Sequence, residues 1–94
     1  MNKKNKTDIK KFPGGEIVEK GLKDLARGIC KSIEALAVLI AAPRLKDFGF
    51  EIQDTKIKNP NLLLYKKLGA KYGNDAHFQY NAIMSRVNKF CNSY

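Results

Sequence analysis

A stripe of apolar residues between Glu16 and Ala42 is the feature that most limits how this chain can fold. Its members recur at steps of three and four residues: Val18, Leu22, Leu25, Ile29, Ile33, Leu36 and Ile40. At 3.6 residues per turn these positions fall on one side of an α-helix, and charged residues occupy the other side. The phase continues through Gly28, so the pattern predicts one helix over about 16–42, with Gly28 as the point where it would bend. Such a helix is about 40 Å long, which is long for so small a chain.

The rest of the chain predicts further helices. Pro43 ends the first helix, because the residue before a proline avoids the α region, and one more turn follows before Gly49. Asn59-Pro60 is a typical helix start, and Gly73 is a typical helix end. We therefore expect an all-α, small single-domain helical bundle, in which one long N-terminal helix is packed by a short helix and by two C-terminal helices over about 60–72 and 75–92. Residues 16–94 form this domain, and residues 1–15 form a flexible, Lys-rich arm and hinge.

The composition argues against several classes of protein. The N-terminus is polar and unlike a secretory signal, and the apolar run 35–42 is far shorter than the ~20 residues that span a bilayer. We therefore expect a soluble, cytoplasmic protein without a membrane partner. Cys30 and Cys91 lack the spacing of a zinc site, and the chain has one histidine. We expect free thiols, no metal and no cofactor.

Positive charge is concentrated at the two ends of the chain. The net charge is +9, with five Lys and one Asp in residues 1–12 and seven basic residues against Asp75 alone in residues 55–94. The middle of the chain carries six basic and seven acidic residues. This distribution favours a polyanionic partner, most often nucleic acid. The alternative is that the excess of positive charge reflects a Lys- and Asn-rich proteome, in which many small proteins are basic without binding such a partner.

The last helix has a polar side rich in amides. His77, Asn81, Ser85, Asn88 and Asn92 form one stripe, flanked by Gln79, Arg86 and Lys89. Amide, Arg and Ser side chains read base edges, and helix–Gly–helix resembles the outline of a helix-turn-helix. Gly69 would fit as a small residue where these helices cross. The apolar positions Tyr80 and Ile83, however, require one residue more in the turn than the motif has. A solvated polar face is the alternative interpretation.

These considerations give a set of candidate nucleic-acid contacts. The residues are Lys66, Lys67, Lys71, His77, Asn81, Arg86 and Lys89, and the candidate arm contacts are Lys3, Lys4, Lys6, Lys10 and Lys11. Phe78 falls on the polar side of its helix. We expect it to pack under the 48–57 segment, and the alternative is an exposed aromatic for a base or a partner protein.

No catalytic pattern accompanies these residues. His77 stands near Asp75 at a helix start, but Lys71 and Tyr72 occupy the place where a helical ribonuclease would need an arginine. The chain has no Gly-rich phosphate loop and no nucleophile elbow. We therefore expect a non-enzymatic protein.

A protein-interaction module is the second functional hypothesis. Two shorter helices would leave part of the long stripe uncovered near Val18, Leu22 and Leu25, and this apolar face would bind a partner or a second copy. Such a protein would be a homodimer or an accessory subunit. Antitoxins and bacteriocin-immunity proteins are also small, basic and helical, but no motif links this chain to either.

Overall fold

The computed structural model describes residues 9–53 and 55–94, and within them every regular element is helical. The α-helices are α1 (Gly15–Ala26), α2 (Ile33–Ile40), α3 (Ala42–Asp47), α4 (Pro60–Tyr72) and α5 (Ala76–Ser93), with 3₁₀ turns at Ile9–Lys11 and Gly73–Asp75. The all-α prediction and the two C-terminal helices are thus confirmed, with Pro60 in the first turn of α4 and Gly73 at its end.

The prediction of one helix over 16–42 is wrong. The chain leaves the helical conformation after Ala26 and starts a new helix at Ile33. Gly28 adopts a φ of 83°, and two backbone bonds close the end of α1: Gly28 N–H donates to Leu25 O at 3.0 Å, and Ile29 N–H donates to Asp24 O at 2.7 Å. This is the Schellman pattern, which satisfies carbonyls that a helix end leaves unpaired.

A buried polar bridge holds the start of α2 against the end of α1. Ser32 Oγ accepts a hydrogen bond from Ala35 N at 3.1 Å, which makes Ser32 the N-cap of α2. The same hydroxyl donates to Asp24 Oδ2 at 2.7 Å, and Lys20 Nζ lies 3.1 Å from that oxygen. The side chain of Asp24 is buried, and its pKa is lowered chiefly by the hydrogen bond from Ser32, against the opposing effect of burial.

The two halves of the apolar stripe cover each other. Helices α1 and α2 approach so closely that a β-carbon at Gly21 would collide with the backbone of Glu34. Val18 and Leu25 are buried in the core, and Leu22 is half-buried against it. The predicted partner face of Val18, Leu22 and Leu25 is therefore covered within the chain itself, because the stripe folds back on itself and does not run along one rod.

Residues 9–15 pack against the helical domain, although the sequence analysis assigned them to an arm and hinge over 1–15. Ile9 and Phe12 pack against the core, and the ring of Phe12 lies 5.3 Å from that of Tyr94 between centroids. Gly15 lies so close to Ile9 O that no side chain would fit there. The apolar side chains of Ile9 and Phe12 hold residues 9–15 against the domain. The remainder of the predicted arm, residues 1–8, lies outside the described residues.

Helix α2 lies at the centre of the core, as its nearly uniform apolar sequence predicts. Its residues 35–38 are buried, and α1, α4 and α5 all pack against it. Helix α4 contributes Leu64 and Leu68, and α5 contributes Val87, Phe90 and Cys91. This arrangement leaves the outer sides of α4 and α5 in solvent.

Candidate functional site

The outward side of α5 is a continuous exposed stripe. Phe78, Asn81, Ser85 and Lys89 recur at steps of three and four residues, and all four are exposed. They lie on the opposite side of the helix from the buried Val87, and from Phe78 to Lys89 the stripe is about 16 Å long. Phe78 is 67% exposed, the largest value among the described large apolar side chains that are exposed. The expectation that Phe78 packs under the 48–57 segment is therefore wrong.

His77 and Asn81 lie together beside α4. The Asn81 amide nitrogen is 3.1 Å from His77 Nε2, and the ring of Tyr65 on α4 lies 6.2 Å from the imidazole between centroids. Tyr65 also lies 5.8 Å from the ring of Tyr80 and is 41% exposed. An aromatic and amide edge thus adjoins the outward stripe of α5.

Arg86 lies on the other flank of α5. It is nine residues from His77, which places the two side chains about half a turn apart around the helix axis. Its guanidinium forms an ion pair with Glu16 in the first turn of α1. The sequence pattern groups His77 and Arg86 as contacts of one nucleic-acid surface. In the structure they lie on different sides of α5, so they do not belong to one base-reading surface.

The lysines of α4 also divide between two sides. Lys71 Nζ lies 5.5 Å from the ring centroid of Tyr72, and Lys71 borders a small depression with Gln79 and Arg86. Lys66 and Lys67 border a different depression, together with Lys31 at the turn before α2. All seven predicted contact residues are exposed, but the fold distributes them over three neighbouring surfaces.

The predicted helix-turn-helix differs from the structure at its crossing point. A β-carbon at Gly69 would meet no neighbouring atom within 4 Å, so this glycine is not needed for a close approach of α4 and α5. The turn itself is the 3₁₀ segment Gly73–Asp75, with Gly73 at a φ of 60°.

The predicted arm contacts are only partly within the structure. Lys3, Lys4 and Lys6 lie outside the described residues. Lys10 Nζ lies 3.8 Å from Glu19 Oε1 on α1, and Lys11 is exposed.

Two features of this surface were missed from the sequence. Tyr65 and Tyr72 were not identified as candidate contacts, although they are 41% and 39% exposed. Lys31, Lys56 and Lys58 were not considered at all, although they converge on one cleft. No local pattern in the sequence links Lys31 to Lys56 and Lys58, because they lie about 25 residues apart in the chain.

The two thiols are free and differ in environment. Cys91 is buried, and desolvation raises the pKa of its thiol, whereas Cys30 is half-buried. Among residues 9–53 and 55–94, no group of three His, Cys, Asp or Glu is placed to hold a metal ion, and no helix is both long and apolar enough to cross a membrane. The chain matches no protein-family model, no curated protein and no solved structure.

Proposed function

We propose that the protein binds single-stranded nucleic acid on the outward side of α5 and the adjoining edge of α4. The observation that carries the proposal is the 67% exposed ring of Phe78, in line with Asn81 and Lys89 on one helix face. An aromatic ring that is not used in the core is a platform on which any base can stack, whatever the sequence. Tyr65 provides a further exposed ring on the adjoining edge of α4.

Charge supports a polyanionic ligand at this surface. Residues 55–94 carry seven basic residues and the single acidic residue Asp75. In this proposal Lys89 contacts a phosphate, Phe78 stacks on a base, and Asn81 donates a hydrogen bond to a base edge. Binding of this kind weakens as salt is added, because the protein displaces cations from the phosphates.

Reading of a duplex through a helix-turn-helix is less well supported. Arg86 is already paired with Glu16, and it lies about half a turn around α5 from His77. A recognition helix needs its base-reading side chains on one side, within one groove. The proposal is one of binding without catalysis, in which His77 supports the ligand-facing position of Asn81. Contacts from the lysines of the N-terminal arm stay a prediction.

Fluorescence anisotropy with a labelled oligothymidylate tests the proposal. Phe78→Ala should weaken binding by roughly 5- to 150-fold at constant salt, the loss expected for one stacked base. The slope of log affinity against log salt should not change, because no phosphate contact is lost. Lys89→Ala should instead reduce that slope by about 0.7, as expected for one phosphate of a single strand.

Ile29→Ala is the matched control, since Ile29 is also an exposed apolar residue but lies in the turn between α1 and α2. It should leave oligothymidylate binding unchanged. Absence of binding even at low salt, or equal affinity of the Phe78→Ala and wild-type proteins, would refute the proposal. A preference for duplex that depends on Arg86 would replace it with the helix-turn-helix reading.

A further inference from the structure

A cleft with a volume of about 860 Å³ opens between the turn after α1 and the irregular segment before α4. Its floor is aliphatic, formed by Leu25, Ile57 and Leu63, and its rim carries Lys31, Lys56 and Lys58. Cys30, Gln53 and Thr55 complete the walls. The size is typical of a ligand site.

The charged residues described at the cleft are all of one sign. Every charged side chain that lines it in the described part of the chain is a lysine, and Lys66 and Lys67 border the depressions beside it. Lys31, Lys56 and Lys58 have no ion-pair partner among the described residues. An occupant that brings carboxylates or phosphates to this rim would therefore meet cations that are not already neutralised.

The apolar floor of the cleft favours an occupant that carries carboxylates over a nucleic acid that carries phosphates. No aromatic side chain is among the described residues that line the cleft, so a nucleic-acid base would have no ring to stack on. Leucine and isoleucine side chains on the floor instead favour aliphatic side chains of the occupant, and the stems of the lysines extend that apolar surface. The occupant that fits is both acidic and aliphatic.

The backbone of one wall is also available for pairing. Residues 51–53 and 55–58 belong to no helix or strand, bend at Lys56 and Lys58, and form no backbone–backbone hydrogen bond with the rest of the described chain. The amide of Ile57 donates locally to Thr55 Oγ1 at 3.2 Å. Carbonyls and amides of this segment that pair with no other backbone group can bond the backbone of a bound peptide, while the side chains beside the segment select its sequence.

We propose that this cleft binds an acidic peptide segment of a partner protein. Aliphatic side chains of the segment contact Ile57 and Leu63, its carboxylates pair with Lys31, Lys56 and Lys58, and its backbone lies beside residues 55–58. This site is separate from Phe78 and the outward side of α5, so it does not depend on the nucleic-acid proposal.

A short labelled peptide of alternating glutamate and leucine is the probe, and its binding is measured by anisotropy. Two double variants with the same change in net charge separate the effect of the lysines at the cleft from the effect of the protein's overall charge. Lys56→Glu with Lys58→Glu, at the cleft, should weaken peptide binding by about tenfold or more. Lys71→Glu with Lys89→Glu, on the α4–α5 surface, should change it less than about twofold, through long-range charge alone. Circular dichroism verifies that both variants are folded.

Cys30 provides an independent readout of occupancy. Cys30 lines the cleft and is half-buried, whereas Cys91 is buried with a raised thiol pKa, so alkylation at neutral pH reports on Cys30. Saturating peptide should slow alkylation of Cys30, and a peptide with serine in place of leucine should not. Cys30→Ser confirms which thiol reacts.

Three results would overturn the proposal. The first is equal peptide affinity of the cleft variant and the wild-type protein, and the second is unchanged alkylation of Cys30 in saturating peptide. The third is a pair of observations: oligothymidylate displaces the peptide, and the cleft variant no longer binds oligothymidylate. Together they would make the cleft a nucleic-acid site. Since Phe78→Ala tests the other surface, failure of one proposal is distinguishable from failure of the other.

Discussion

Replacing Gly28 with alanine tests the break between α1 and α2, because a broken and a continuous helix predict opposite signs. In a continuous helix, alanine at this position would stabilise the protein by about 1 kcal/mol relative to glycine. In the structure Gly28 has a φ of 83°, in the left-handed region, where a β-carbon costs roughly 1–2 kcal/mol.

The expected magnitude is the difference of two effects. A β-carbon at Gly28 would meet no neighbouring atom within 4 Å, so the cost arises from the local backbone alone. Alanine also reduces the conformational entropy of the unfolded chain, which offsets about 0.4–1 kcal/mol of that cost. We therefore expect Gly28→Ala to lower the free energy of unfolding by about 0.8 kcal/mol at the middle of these ranges, and by about 1.6 kcal/mol at most.

Gly69→Ala is the matched control. Gly69 lies inside α4, and a β-carbon there also meets no neighbouring atom within 4 Å. The same substitution should therefore raise the free energy of unfolding by up to about 1 kcal/mol. Urea denaturation followed by far-ultraviolet circular dichroism measures both changes. If Gly28→Ala stabilised the protein as much as Gly69→Ala does, the break at Gly28 would be refuted.

Two further predictions concern the polar bridge between α1 and α2. Ser32→Ala removes an N-cap and a hydrogen bond to a buried carboxylate, so it should lower the free energy of unfolding by about 2–4 kcal/mol in urea. Ser32→Thr keeps the hydroxyl and should recover most of that loss, and a cost for Ser32→Ala below about 0.5 kcal/mol would contradict the bridge. The second prediction is that stability falls in acid through Asp24. Since the hydrogen bond from Ser32 lowers the pKa of Asp24, its stabilisation is complete above the ordinary aspartate value and is lost as pH falls through the lowered one. Asp24→Asn should therefore flatten the decline in unfolding free energy below about pH 4, and a decline as steep as in the wild type would exclude this role.

The candidate binding surface was only partly predictable from the sequence. Helical periodicity correctly placed His77 and Asn81 on the solvent side of α5, because the buried side of that helix is well marked. It did not predict that Glu16 of α1 pairs with Arg86, or that Lys31 meets Lys56 and Lys58 at one cleft. Those contacts join residues far apart in the chain, so no local pattern contains them.

The sequence by itself determined the helical class and the ends of α4, because Pro60 fixes its own φ at a helical value and Gly73 tolerates the positive φ that ends the helix. Only the tertiary structure decided that the apolar stripe belongs to two helices. Burial of Val18 and Leu36 does not distinguish one helix from two. Both side chains would be buried in a straight helix covered by other elements, and both are buried in two helices that cover each other. The local signals for a break, Gly28 and Ser32, are each tolerated inside helices. The close packing of α1 on α2 at Gly21, together with the bridge from Asp24 to Ser32, stabilises the folded-back arrangement.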